Sequence, residues 1–394
     1  MQNAGLEHFI VYEDRQFYPA FPSVVQTAKG ELIVAFRRAP ERRWHGGWCT
    51  HSDPNAYLVL VRSKDGGRTW TREPELLCAH PLGGSQDPCM TRLSDGTLWC
   101  SSYLWIPQQA ATAHGKLIDH TGWRFASGGG YLMRSRDEGK TWEGPIAPPP
   151  VPGNTAMDAM GRPRPAYNRG NILEARDGTL YRAVVRRDAA ESASGESQTS
   201  VHLVASSDRG ETWEYRCPIA AEREMGFNET FLYETEAGNL VAFLRTHRGG
   251  DRTPSALARS RDGGRSFEPW QSMGFAGHPH TATRLADGRV LLAYGYRRPP
   301  CGIRARILDA ECTAPGEAEE IVLRDDGGTA DLGYPWATAV PDGRVLVVYY
   351  FNRAGESGPT ESEGAVPPPP DAKDRGITAA GGYRHIAGTW ITIP

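Results

Sequence analysis

The sequence has no strong excess of charge of either sign and no long hydrophobic run. Its formal net charge is −3, and 23% of its 394 residues are charged. Nucleic acids and acidic membrane surfaces attract strongly basic proteins, so this balance argues against both as partners. No apolar stretch approaches the ~18 residues that span a bilayer. The composition is that of an ordinary globular protein, with 39% hydrophobic residues.

Signals for export, cross-linking and cofactor binding are also scarce. The first residues, MQNAGLEHFIVYEDR, contain no basic segment followed by an apolar one. We therefore expect a cytoplasmic protein, or a secreted one whose leader is absent from this sequence. The seven cysteines are odd in number and form no CxxC pair. They predict buried free thiols, and no motif predicts a cofactor.

One eight-residue pattern, Ser-x-Asp-x-Gly-x-Thr-Trp, recurs along the chain. Its aspartate can accept backbone N–H bonds, its glycine can adopt positive φ, and its tryptophan can pack under a turn. Each copy follows a β-rich run and so predicts a hairpin turn. The copies are Ser63 to Trp70, Ser135 to Trp142, Ser206 to Trp213 and a weaker one, Ser260 to Phe267.

A second repeat is a glycine turn that leads into an apolar strand. It occurs six times, at Gly30, Gly96, Gly178, Gly238, Gly288 and Gly343. Successive turns are separated by the length of one four-stranded blade, which predicts an all-β, six-bladed β-propeller. We expect residues 1–394 to form a single domain, with strands near Phe9 and Trp390 closing the ring in the last blade.

The Ser-x-Asp-x-Gly-x-Thr-Trp copies resemble the Asp boxes of the sialidase (neuraminidase) superfamily, and the resemblance covers essentially the whole chain. It implies a sialidase-like propeller in which these turns join the third and fourth strands of a blade, far from the active site. Because Asp boxes also occur in non-catalytic propellers, the resemblance marks the fold more strongly than the reaction.

The six glycine turns also predict where a site would lie. Residues nine positions before each glycine should begin the innermost strands at one end of the channel; we call them mouth positions. They are Phe21, Asp87, Arg169, Glu229, Pro279 and Tyr334. Residues seven positions after each glycine should return to the same end; we call them return positions. They are Arg37, Tyr103, Val185, Arg245, Gly295 and Tyr350.

Carboxylates, arginines and tyrosines that converge in a concavity are typical of a binding or catalytic site, although a hydrogen-bonded plug of the channel is an alternative. The resemblance implies that Tyr334 is a nucleophile and that Glu229 takes its proton, because a phenol is a weak nucleophile at neutral pH. It likewise implies that Arg245 binds a substrate carboxylate.

The sequence departs from the superfamily at two of its three carboxylate-binding arginines. Ala20 stands where the first is expected, and His278-Pro279-His280 stands where the third is expected. Arg37, Arg169 and Arg297 are the candidates that can replace them. We expect Asp87, Tyr103 and His278 to contribute to substrate binding at the same end of the channel.

The resemblance to the superfamily implies that the proton donor is on the loop after the first hairpin, just before the first repeat turn. Asp53 and His51 are the candidates there, and His280 is a third titratable candidate at the channel end. The spacing of these residues and His278 carries no metal signature.

Three functions remain open. The leading hypothesis is an exo-acting hydrolase that cleaves a terminal acidic sugar from an oligosaccharide or glycoconjugate. The second is a lyase that acts on a uronate, for example a rhamnosyl-glucuronate glycan, by β-elimination. In it arginine neutralises the carboxylate, and Tyr334, His280 or His51 removes the C5 proton. The third is a propeller that binds glycans without turnover.

Overall fold

The computed structural model describes residues 5–45, 52–107, 118–120, 123–154, 157, 161–191, 197–222, 224–246, 248, 250–366 and 381–393. These residues form 26 strands and three short 3-10 helices, at Arg42–Trp44, Gly250–Arg252 and Glu361–Glu363. Among them, no helix has the length and apolar character needed to cross a bilayer. The strands form six antiparallel sheets, which confirms the all-β, six-bladed architecture.

The first three blades follow one another along the chain, each from its innermost to its outermost strand. Blade 1 contains β2 (Phe17–Gln26), β3 (Leu32–Pro40), β4 (Tyr57–Ser63) and β5 (Glu75–Cys78). Blade 2 contains β6 (Gly84–Ser85), β7 (Cys89–Arg92), β8 (Leu98–Pro107), β9 (Ile118–His120), β10 (Trp123–Ser135) and β11 (Glu143–Ile146). Blade 3 contains β12 (Ile172–Glu174), β13 (Leu180–Glu191), β14 (Ser197–Ser206) and β15 (Glu214–Ala220).

The last blade combines strands from the two ends of the chain. Blade 4 contains β16 (Phe227–Glu234), β17 (Leu240–Thr246), β18 (Ala256–Ser260) and β19 (Gln271–Ser272). Blade 5 contains β20 (His280–Arg284), β21 (Val290–Tyr296), β22 (Cys301–Leu308) and β23 (Glu320–Gly327). Blade 6 contains β24 (Gly333–Ala339), β25 (Val345–Phe351), β26 (His385–Thr392) and, outermost, β1 (Gly5–Tyr12). The pairing of β1 with β26 closes the ring.

All six predicted glycine turns are built alike. Each glycine has a φ between 83° and 91° and donates its N–H to the carbonyl three residues before it. Only glycine adopts this conformation without steric cost, so the innermost and second strands of every blade are joined by the same tight turn. The six turns therefore lie at the channel end opposite the mouth positions.

The predicted repeat turns join the third and fourth strands of blades 1 to 4. In the first copy, Asp65 accepts hydrogen bonds from the N–H groups of Arg68 and Thr69 at 3.0 and 2.9 Å, and Ser63 Oγ accepts one from Gly67 at 2.8 Å. Trp70 is half-buried and packs against the core. A related turn in blade 5 was not predicted, because it keeps only Asp309 and Thr313 of the pattern.

The repeat turns also contact the neighbouring blades. A side-chain carbon added at Gly210 in blade 3 would lie 2.6 Å from the Trp99 ring of blade 2. Arg62 of blade 1 donates hydrogen bonds of 3.0 Å to the carbonyls of Glu138 and Gly139 in the turn of blade 2. Apolar residues on the facing sheets fill the space between blades with a buried core.

The cysteines of the described residues agree with the sequence prediction. Six are buried and free, at positions 78, 89, 100, 217, 301 and 312. The seventh, Cys49, lies outside the described residues.

Candidate active site

Three of the six mouth positions lie at irregularities of the innermost strands. The pairing of strands shifts between Ala20 and Ser23 in blade 1, and equivalent shifts occur in blades 4 and 6. The residues at these shifts, Phe21, Glu229 and Tyr334, have φ values of 57°, 37° and 52°. Such bulges redirect side chains, and positive φ in non-glycine residues is typical of functional sites.

Tyr334 and Glu229 contact each other directly, although they are about a hundred residues apart in sequence. The phenol Oη of Tyr334 donates a hydrogen bond of 2.7 Å to Glu229 Oε1. Arg245 Nη1 donates to Glu229 Oε2 at 2.6 Å and to Tyr334 Oη at 3.1 Å. The three side chains form one hydrogen-bonded cluster, in which Tyr334 and Glu229 are less than a tenth exposed.

The charges of this cluster determine whether the shared proton resides on Tyr334 or on Glu229. Burial alone would raise the pKa of Glu229, but the guanidinium of Arg245 and the hydrogen bonds to the carboxylate lower it to about 2. Burial and the adjacent carboxylate raise the pKa of the Tyr334 phenol well above its usual value. At neutral pH the resting site therefore holds a neutral phenol beside a carboxylate.

Two further arginines surround Tyr334. The guanidinium carbons of Arg169 and Arg297 lie 5.0 and 5.1 Å from the centroid of its ring. Arg169 Nη2 donates to the Tyr334 carbonyl at 3.1 Å, and Arg297 Nη2 donates to the Tyr350 hydroxyl at 2.9 Å. With Arg245, these residues give the channel end three guanidinium groups around one phenol.

Arg37 also lies in this region, at the return position of blade 1. It is fully buried, and its guanidinium carbon is 5.5 Å from the ring centroid of Tyr18 and 6.0 Å from that of Phe21. Its charge acts on Asp87. Arg37 thus lies in the buried part of the site.

Asp87 is a second carboxyl group of the site, with surroundings unlike those of Glu229. It is 1% exposed, and no other described residue donates a hydrogen bond to either of its oxygens. Burial, followed by the negative charge of Glu229, raises the pKa of Asp87 to about 7. Tyr103 lies within electrostatic range, and its own pKa is raised by burial and then by Asp87. Asp87 is therefore about half protonated at neutral pH, whereas an ordinary aspartate is fully ionised there.

The two histidines at the start of β20 differ in their surroundings. His278 Nε2 lies 2.7 Å from Asp251 Oδ1. His280 packs among aromatic rings, and within the described part of the chain neither of its ring nitrogens has a hydrogen-bond partner. Burial and then His278 lower the pKa of His280 to about 3. Because a general base works best with a pKa near the working pH, these surroundings do not support His280 as the base.

The surroundings of Asp53 do not support the predicted proton donor. Arg42 binds both of its oxygens, with Nε at 2.8 Å and Nη2 at 3.0 Å. Because Arg42 occupies both oxygens, the geometry favours Asp53 less than a free carboxyl group as the proton donor. His51, the other candidate, lies outside the described residues and stays a prediction.

The structure adds residues that the sequence did not suggest. Asp251 lies in a 3-10 helix after β17, outside any repeat. Asp331 accepts hydrogen bonds from Tyr18 at 2.6 Å and Tyr350 at 3.0 Å, and pairs with Arg384 at 2.8 Å. Asp331 could have been noticed in the sequence because it lies close to Tyr334. No sequence pattern pointed to Asp251.

No group of three His, Cys, Asp or Glu side chains in the described ranges could hold a metal ion. Two rim cavities, of about 340 and 450 Å³, are lined by other residues and contain neither Tyr334 nor Glu229.

The sequence matches the family of BNR repeat-like domains over residues 85–347. The chain belongs to this family. A crystal structure of a protein of unknown function from Dyadobacter fermentans is 45% identical, with a TM-score of 0.87 and full coverage of both chains. The comparison with curated proteins gave no match.

More distant members of the fold are sialidases. NanB sialidase from Streptococcus pneumoniae is 13% identical, with a TM-score of 0.61 over 96% of this chain and 69% of that one. Trypanosoma rangeli sialidase is 12% identical, with a TM-score of 0.61 over 98% of this chain and 59% of that one. These likenesses confirm that this BNR repeat-like protein has the sialidase-type propeller fold.

Proposed function

We propose that the protein is a glycoside hydrolase that removes a terminal acidic sugar by means of a tyrosine nucleophile. The observation that carries this proposal is the hydrogen bond of 2.7 Å from Tyr334 Oη to Glu229 Oε1. A buried carboxylate within hydrogen-bond reach of a phenol is the arrangement that nucleophile activation requires. The sialidase-type fold is compatible with such chemistry.

In the proposed first step, Tyr334 Oη bonds to the anomeric carbon while Glu229 Oε1 takes the phenol proton. The bond between the anomeric carbon and the leaving oxygen breaks, and that oxygen receives a proton from an acid, for which His51 remains our candidate. In the second step a water oxygen bonds to the anomeric carbon and its proton goes to the conjugate base of that acid. The bond to Tyr334 Oη breaks, Glu229 returns the proton to the phenolate, and the sugar is released. Two successive displacements at one carbon retain its configuration.

The charges around Tyr334 favour an anionic substrate. Arg245, Arg169 and Arg297 all lie against the phenol, and guanidinium groups bind carboxylates in bidentate fashion. A substrate carboxylate that draws Arg245 away from Glu229 also removes the main influence that lowers the pKa of Glu229. Binding of the acid group would thereby make Glu229 a stronger base for Tyr334.

Protonated Asp87 suits the same site. It adds a hydrogen-bond donor near Glu229 instead of a second negative charge, as a buried neutral carboxyl group can.

The test is turnover of methylumbelliferyl glycosides of N-acetylneuraminic acid and glucuronic acid, with the uncharged glucoside for comparison. We expect cleavage of an acidic glycoside with retained configuration. Tyr334→Phe should lower kcat by at least about 10⁴-fold because the nucleophile is lost. Glu229→Gln should lower it by about 10²–10⁴-fold because the base is lost.

Tyr349→Phe is the matched control. Tyr349 is buried on the face of β25 opposite to that of Tyr350, and its hydroxyl contacts Thr389 Oγ1 at 2.6 Å. Its loss should leave turnover unchanged. Equal turnover by Tyr334→Phe and the unaltered protein would refute the tyrosine mechanism, and binding of the sugars without cleavage would favour a glycan-binding propeller.

A uronate lyase is the second candidate, and the His278–Asp251 pair is the observation that favours it. A histidine oriented by a carboxylate beside arginines can remove the proton next to a uronate carboxylate. Ultraviolet absorbance from an unsaturated uronate, without incorporation of oxygen from water into the released sugar, would indicate this reaction. His278→Gln would then abolish turnover, whereas Glu229→Gln would impair it less.

A further inference from the structure

The imidazole of His278 is held in one position at the channel end. Its backbone N–H donates to the carbonyl of Gly295 at 3.0 Å, and its ring, 3% exposed, contacts Asp251 through Nε2 at 2.7 Å. Gly295 carries no side chain because an added carbon would lie 2.7 Å from the His278 carbonyl. The ring therefore has little freedom to turn.

The surroundings also determine the charge of this imidazole. Burial and the positive charges of Arg245 and Arg297 lower the pKa of His278, although Asp251 opposes them. The hydrogen bond from His278 lowers the pKa of Asp251 in turn. At neutral pH the pair is thus a neutral imidazole beside a carboxylate.

A neutral imidazole carries one N–H group, and its position follows from the partner. Asp251 can only accept a hydrogen bond, so the proton of His278 resides on Nε2. Nδ1 is left with a lone pair, and no described residue donates to it. A buried acceptor without a donor is unfavourable until a donor reaches it. His278 lies beside Tyr334, because a side-chain carbon added at Gly295 would lie 2.7 Å from the His278 carbonyl and 3.5 Å from the Tyr334 backbone nitrogen. The charges of Arg245, Arg297 and Glu229 act on its imidazole.

We infer that Asp251 positions His278 so that Nδ1 accepts a hydrogen bond from a hydroxyl or amide N–H of the substrate, beside the arginines that bind its acid group. This inference rests on the proposed binding of an acidic sugar and specifies what else the sugar must carry. His278 is then a specificity-determining residue, and Asp251 is a positioning residue. An acidic sugar that lacks the donor leaves Nδ1 unpaired and is rejected.

The first test measures the position of the proton. Nitrogen NMR of protein with isotope-labelled histidine should show His278 neutral at pH 7, with Nε2 protonated and Nδ1 not. The signal is assigned by its loss in His278→Gln. Asp251→Ala, which removes the acceptor at Nε2, should leave both ring nitrogens partly protonated. His385→Gln, which alters a buried histidine of blade 6, should leave the His278 signal unchanged. A protonated Nδ1 in the unaltered protein overturns the inference.

The second test measures binding in the Tyr334→Phe variant, in which turnover does not interfere. Calorimetry compares N-acetylneuraminic acid and glucuronic acid with their singly deoxygenated analogues. We expect one analogue to bind at least about tenfold more weakly, the worth of one good hydrogen bond. Adding Asp251→Ala should reduce that difference, because nothing then holds the proton on Nε2 and keeps Nδ1 available as an acceptor.

Equal affinity for all analogues, or no binding of either sugar acid, overturns the inference. Failure of the proposed hydrolysis has a different signature. In that case the unaltered protein cleaves no acidic glycoside, while the proton position and the loss of affinity for one analogue still appear as expected.

Discussion

At the scale of the residue, Tyr334 and Glu229 share an unusual backbone conformation as well as a hydrogen bond. Left-handed φ values in such residues cost about 1–3 kcal/mol each and persist only where the surroundings enforce them. Here the Tyr334 carbonyl is held by Arg169, and its phenol is held by Glu229. The strained backbone positions the two reactive side chains before a substrate arrives.

Two aspartates of the channel end should respond to pH in opposite directions. The pKa of Asp87 is raised to about 7 by burial and Glu229. The folded protein therefore keeps a proton that the unfolded chain loses above about pH 4, so stability falls as pH rises from about 4 to 7. Asp87→Asn removes this loss. Its free energy of unfolding relative to the unaltered protein should rise by up to about 4 kcal/mol across that window.

Asp331→Asn is the matched comparison. Burial would raise the pKa of Asp331, but Arg384, Tyr18 and Arg297 lower it to about 2. Its stabilisation is present above about pH 4 and is lost as pH falls from about 4 to 2. The substitution should therefore destabilise most at neutral pH and least near pH 2. Urea unfolding at several pH values measures both variants, and parallel curves for the two would contradict these assignments.

At the scale of the element, two glycines of blade 3 separate backbone strain from packing. Gly178 and Gly210 have φ values of 86° and 90°. An added side-chain carbon meets nothing at Gly178, whereas at Gly210 it would lie 2.6 Å from the Trp99 ring of the neighbouring blade. Gly178→Ala should cost about 1 kcal/mol through strain alone. Gly210→Ala should cost about 1–3 kcal/mol more through overpacking. Denaturant unfolding gives both values. Equal losses in the free energy of unfolding would show that the repeat turns do not contribute to packing between blades.

The regular elements are also what the sequence predicted best. Six similar turns gave the blade number, and counting from them located Tyr334, Glu229, Arg245 and Asp87 at one end of the channel. Repetition made this possible. Because the inner hairpins are alike, residues at the same distance in sequence from each turn glycine lie at the same level along the channel. The catalytic and binding roles of these residues remain predictions.

Residues outside the hairpins could not be found in this way. Asp251 and Asp331 precede or follow strands in segments that share no spacing with other blades. Asp53 was chosen for its loop, and only the structure showed that Arg42 occupies its carboxylate. Ion pairs between side chains distant in sequence depend on loop conformation, which a single sequence does not reveal.

At the scale of the whole molecule, ring closure depends on the first strand. β1 pairs with β26 over its length, and Phe9 stacks on Trp70 of blade 1 with 6.4 Å between ring centroids. Deletion of residues 1–12 would leave β26 as an unpaired edge, which promotes aggregation. We expect a lower melting temperature and increased light scattering.

A synthetic peptide of residues 1–12 should restore the melting temperature by adding the missing strand. A peptide of the same composition in scrambled order serves as the control. An unchanged melting temperature after the deletion would mean that β1 contributes little to closure.

The walls of the site come from different blades. Arg169 belongs to blade 3, Glu229 to blade 4, His278 to blade 5 and Tyr334 to blade 6, and the segments between them are complete hairpins with their own hydrogen bonds. A substitution in one wall therefore need not alter the backbone of another. Evolution, or an engineer, can change the substrate preference of such a ring one blade at a time while the remaining walls continue to hold the reacting group.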